Sequence, residues 1–90
     1  MTTILVEKPT TEKLASLGVT SWPIWTKEVS QFPWFFGTQE IAYILEGEVT
    51  VTPDGDEAVS FQTGDLVTFP AGMSCTWHVK KALRKHYQLG

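Results

Sequence analysis

The sequence predicts an all-β fold, a barrel or a sandwich, with one short helix near its start. Three observations point there. Turn-forming residues recur about every eight to twelve residues. The segments between them are rich in β-branched and aromatic side chains. Only one stretch carries both a helix-start and a helix-stop signal.

Taken in order, Ile4 to Glu7 is a β-prone run that Pro9 stops. Thr10 or Thr11 can then cap a helix of about two turns over Glu12–Leu17, which Gly18 ends. Trp22–Val29 reads as an irregular strand, followed by Phe32–Phe36 and a turn at Gly37. Glu40–Thr52 is the strongest strand region, and Gly47 marks a bulge or bend within it. Pro53-Asp54-Gly55-Asp56 is a hairpin turn, because Pro presets φ and Gly supplies a positive one. Glu57–Gln62 returns as a strand, Thr63-Gly64-Asp65 turns, Leu66–Phe69 is the next strand, and Pro70-Ala71-Gly72 turns again. Cys75–Lys80 and Leu83–Leu89 read as the last two strands. The expected organisation is a single domain over 1–90, with an arm over 1–20 and the barrel over 21–90.

Composition excludes several function classes. In 90 residues, 42% are hydrophobic, including four Trp, five Phe and two Tyr, enough for one dense core without disulfides. The formal net charge of -3 gives no general attraction to nucleic acid or to an anionic membrane. Lys80, Lys81, Arg84 and Lys85 cluster near the end; such a cluster could attract an anion, but more often it is a solvated, charge-protected sheet edge. A lone cysteine, Cys75, permits no internal disulfide, so a reducing, cytoplasmic setting is expected. Met1–Pro9 lacks the pattern of a signal peptide, and no stretch approaches the ~20 apolar residues of a membrane span.

Two motifs sharpen the fold. Gly64-Asp65-Leu66-Val67-Thr68-Phe69-Pro70-Ala71-Gly72 holds a five-residue strand between two turns, as Gly, five residues, Pro, any residue, Gly. Glu40-Ile41-Ala42-Tyr43-Ile44-Leu45-Glu46-Gly47 precedes it, across a sixteen-residue hairpin. In this order and separation the two stretches resemble the paired signatures of the cupin superfamily. The arm, the Trp22-Pro23 and Pro33-Trp34 segments and the Lys85-His86-Tyr87 ending further resemble very small cupins grouped with the cupin domain of ureidoglycine aminohydrolase. The resemblance implies a cupin double-stranded β-helix, or jelly-roll barrel, with one short N-terminal helix, and a pocket inside it.

It also directs attention to a metal. Metal-binding cupins take two His and a Glu from the first motif and a third His from the second. The Glu position here is Glu40. The His-any-His pair falls on Trp34 and Phe36, or on Pro33 and Phe35 if the loop is one residue longer, and the third His position is Cys75. Two ligands of mixed hardness do not make a tight site. No cofactor is therefore expected; if a divalent metal is bound, Glu40, Cys75 and His86 are its candidates. His78 lies an odd number of residues from Cys75 and should face the other way.

The same residues are the candidates for chemistry. Glu40 is either a pocket acid–base group or a strand carboxylate bonded to its neighbours. Cys75 is a buried apolar thiol or a pocket-floor thiol near Glu40. His86 either faces inward or is a hydrogen-bonded structural residue. Trp34, Phe36, Glu40, Cys75 and Trp77 are expected to line the pocket, which would suit a small apolar or cationic molecule better than a sugar phosphate. Three functions follow: a metal-independent small-molecule binder, a small metal-dependent enzyme resembling ureidoglycine aminohydrolase, or a structural domain that dimerises. Cupins commonly pair, so the resemblance implies a homodimer.

Overall fold

The computed structural model describes residues 3–90; Met1 and Thr2, the first residues of the expected arm, lie outside the described residues. Strand β1 (Leu5–Glu7) leads into helix α1 (Thr11–Leu17). Thr10 caps the helix by accepting a hydrogen bond from the Lys13 backbone N–H at 3.1 Å, and Gly18 closes it in the left-handed conformation. A single 3-10 turn, Val19–Ser21, follows and was not anticipated from the sequence. It buries Val19 and delivers Trp22, also buried, against the barrel.

The barrel strands are β2 (Ile24–Lys27), β3 (Ser30–Phe36), β4 (Glu40–Pro53), β5 (Val59–Gln62), β6 (Leu66–Phe69) and β7 (Met73–Leu89). All pairings are antiparallel. The order is β1-β6-β4-β7-β2, with β5 on β4 and β3 on β7. The two long strands β4 and β7 pair with each other from Glu40↔Leu89 to Pro53↔Cys75. One half of this ribbon is flanked by β6 and β2, the other by β5 and β3. The two halves face each other, since Phe36 of β3 stacks on Phe69 of β6 at 4.7 Å between ring centres. This is an all-β jelly roll, as expected.

Residues expected to form two closing strands instead form one, β7, seventeen residues long. Lys80, Lys81 and Ala82 are an exposed corner within it, not a break. A strand of that length can serve both halves of a folded-over sheet only if its side chains keep pointing inward past the bend. In β7 they do, because Met73, Cys75, Trp77, Val79, Leu83 and Lys85 share one parity and all are buried.

Strand β4 solves the same problem differently. Its buried residues are Glu40, Ala42 and Ile44 before the bend but Val49, Val51 and Pro53 after it, so the parity changes. Register shifts lie between Ile44 and Val49. Gly47 sits there with φ of 118°, where an added Cβ would lie 2.8 Å from the Ala82 carbonyl oxygen and 2.9 Å from the Leu83 Cα. A side chain at this position meets backbone on one side and strained dihedrals on the other.

The Gly64-Asp65 turn is also explained by its contacts. Asp65, buried, accepts a hydrogen bond from the Gln62 backbone N–H at 2.8 Å, while Gly64 N–H donates to the Ile44 carbonyl at 2.9 Å. The turn is thereby fixed both to itself and to β4.

Candidate functional site

An inward position near the open end of the barrel is occupied by a lysine. Lys85 and Glu40 are both buried, and Lys85 Nζ lies 2.5 Å from Glu40 Oε2. Side chains from four strands surround the ammonium. Its nitrogen lies 4.9 Å from the ring centre of Trp77 and 5.0 Å from that of Trp25, with Phe69 and Tyr87 each at 5.9 Å. These distances fall within the ~6 Å range of cation–π attraction. Burial lowers the Lys85 pKa from its usual 10.5, and the charge and hydrogen bond of Glu40 oppose that shift.

The pair forms the polar wall of a cavity of about 200 Å³. The rest of the lining is Trp25, Phe32, Trp34, Trp77, Tyr87 and Leu89. The volume is below the ~300–1,000 Å³ of drug-sized sites and suits a molecule about the size of one aromatic ring. Taking both charges out of water costs several kcal/mol, so a buried pair is poorly explained by stability alone. Perturbed titratable groups beside a cavity are candidates for function.

The residues singled out from the sequence have different fates. Trp34, Glu40 and Trp77 line this cavity, although Trp34 is 48% exposed at its edge. Phe36 does not. It pairs with Met73 deep in the barrel and its ring stacks on Phe69, so it fills core. Cys75 is buried but opens on a separate, shallower groove with Pro33, Trp34, Phe35, Asp54, Ser74 and Thr76. Burial pushes its thiol up, opposed by the Trp77 indole N–H and reinforced by Asp54; the expected closeness to Glu40 is not found, since Glu40 lines the other cavity. The indole contact is too loose for a formed hydrogen bond, since Trp77 Nε1 is left without a partner. His86 adopts the structural alternative. It faces outward under the arm, its Nδ1 2.9 Å from the Trp22 carbonyl oxygen. His78 is exposed on the face opposite Cys75.

Glu40, Cys75 and His86 are therefore not brought together. Among the described residues no three His, Cys, Asp or Glu side chains converge on one point. The donor set does not fit the metal that metal-binding cupins carry. Glu40 faces an ammonium where such a site would place a cation.

Lys85, Trp25, Phe32, Tyr87 and Leu89 complete the lining without standing out in the sequence as site residues. Of the basic cluster expected at a solvated edge, Lys80, Lys81 and Arg84 are exposed, but Lys85 is buried. The missed signal is alternation: Leu83, Lys85, Tyr87 and Leu89 continue the odd-numbered parity of Trp77 and Val79. The alternation is continuous because Met73–Leu89 is one strand. The cationic ligand considered from the aromatic composition has a counterpart inside the chain, because Lys85 itself sits among those rings.

No curated protein sequence matches the chain. Among solved structures, a DUF861 family protein from Thermotoga maritima is 51% identical, with a TM-score of 0.96, covering 98% of this chain and 100% of that one. The EutQ protein of Clostridium difficile is 22% identical with a TM-score of 0.68, covering 98% of this chain and 68% of that one. A putative ethanolamine utilization protein Q from Salmonella typhimurium is 25% identical with a TM-score of 0.67, covering 96% and 68%. The model of the EutQ-like cupin domain matches residues 14–87, from within the helix to the last cavity-lining aromatic. By that match and the likeness to the Thermotoga protein, the chain belongs to the EutQ-like cupin family.

Proposed function

We propose that this cupin binds a small molecule in the Lys85–Glu40 cavity without the usual cupin metal. The observation that carries this reading is a complete ion pair, both members buried, on the wall of an otherwise aromatic cavity. The pair is neutral overall, so it favours a ligand with no net charge. Flat aromatic walls favour a planar, mostly apolar body, with one polar group able to reach Nζ or Oε2.

A thermal-shift screen of single-ring aromatic and heterocyclic compounds tests it. Binders should raise Tm, and Trp34→Ala and Glu40→Gln should each abolish the rise. Stabilisation by added Mn, Zn or Ni alone, with stoichiometric metal in the purified protein, would overturn the reading.

A second reading, a homodimer, has one observation in its favour. Phe35 of β3, on the face opposite Trp34, is a large apolar side chain left 59% exposed. Sedimentation velocity of the wild type and of Phe35→Ser tests it, with a shift to monomer expected in the variant.

A further inference from the structure

We propose that Lys85 is a Schiff-base lysine: a small aldehyde or ketone enters the cavity and is captured covalently on Nζ, with Glu40 moving the protons. This rests on the cavity being a ligand site, and adds the chemical class of the ligand and a covalent step.

Three features of the same few residues support it. Among the described residues Nζ is the one amine on the cavity wall, and its apolar surroundings favour the uncharged, nucleophilic form. Glu40 lies at hydrogen-bond distance from Nζ, so the proton that the amine must shed has a base beside it. The rings of Trp25 and Trp77 hold a cation at the site before reaction and can hold the product cation equally.

The step balances without a further reagent. Glu40 takes a proton from the Lys85 ammonium. The Nζ lone pair attacks the carbonyl carbon, a C–N bond forms, and the C=O π pair moves onto oxygen. With one proton shed from nitrogen and one taken up by oxygen, both exchanged through Glu40, a neutral carbinolamine results. Glu40, protonated again, gives its proton to the hydroxyl; the C–O bond breaks and water leaves. What remains is an iminium on Lys85 with the Glu40 carboxylate as counter-ion. Ammonium plus carbonyl has become iminium plus water, with the charge unchanged. Aromatic walls and a volume of about 200 Å³ select an aryl or short-chain carbonyl over a sugar or a long acyl chain.

The test uses benzaldehyde as the probe, with sodium cyanoborohydride to trap any imine on the folded full chain. Peptide mapping should place the benzyl group on Lys85 about tenfold faster than on the exposed Lys80 and Lys81. Glu40→Gln, which keeps a hydrogen-bonding group beside Nζ but cannot shuttle the proton, should slow labelling of Lys85 about a hundredfold. Labelling confined to surface lysines would overturn the proposal. So would equal rates in wild type and Glu40→Gln. Benzyl alcohol, the same ring without an electrophile, separates the two readings. If it binds in the cavity by NMR shift mapping while Lys85 stays unlabelled, the covalent step fails and the ligand site stands. If neither compound engages the cavity, both fail.

Discussion

The two halves of β7 share a strand, an inward parity and a partner in β4, yet they build different interiors. From Met73 to Val79 the inward side chains are apolar or a thiol, rings from β3, β5 and β6 close over them, and of these four Trp77 alone reaches the cavity. From Leu83 to Leu89 the inward set includes a buried ammonium, and the space before it is left open as a cavity. The same backbone can thus be a plug at one end and a receptacle at the other, and the difference lies in which side chains fill the shared interior. A fold shared with a EutQ protein at 22% identity therefore gives the scaffold and not what fills its interior.

That contrast can be broken most strongly at Lys85. Lys85→Met leaves Glu40 buried without its partner and should cost about 3–5 kcal/mol by urea unfolding. Met73→Leu, an apolar exchange of similar volume in the plugged half, should cost less than about 1.5 kcal/mol. Equal losses at the two sites would mean that the halves are not energetically distinct.

Gly47→Ala attacks the device that allows both halves of β4 to face inward. With φ of 118° and the Ala82 carbonyl 2.8 Å from the new Cβ, it should cost about 3 kcal/mol. Loss within a few tenths of a kcal/mol of wild type would show that the bulge can relax at little cost.

The smallest effect is expected from removing both charges together. Glu40→Leu with Lys85→Met should be within about 1 kcal/mol of wild type, or more stable, while losing ligand binding. Its pH dependence sharpens the point. Burial lowers the Lys85 pKa, so the unfolded chain holds that proton to higher pH than the folded one. Wild type should therefore gain stability relative to the double variant as pH rises toward 10.5, and lose it as pH falls. Unfolding midpoints at about pH 7 and about pH 10 would measure this, and a constant difference would remove Lys85 as its cause.

Much of the fold was legible because its signals are local. Thr10 and Gly18 bound the helix, Gly64 and Pro70 bound β6, and Gly47 marks the bulge, each for reasons contained in a few neighbouring residues. Glu40 was legible as a motif position. What escaped was set by distance in the chain. Glu40 and Lys85 are 45 residues apart, and no local pattern announces their contact. Phe36 and Cys75 share the inward parity of Trp34 and Trp77, but parity fixes a face and not a depth. Depth is decided by what stacks on each residue, such as Phe69 on Phe36.

The exposed corner at Lys80–Ala82 has an evolutionary consequence. Beyond it, Lys85 points into the barrel and His86 out toward the Trp22 carbonyl. Deleting one residue at that corner would slide the strand's second half by one step and exchange the two faces, bringing an imidazole inside and putting the ammonium in the outer position. Two quite different interiors are thus separated by a single codon, at a solvent-exposed position of the strand.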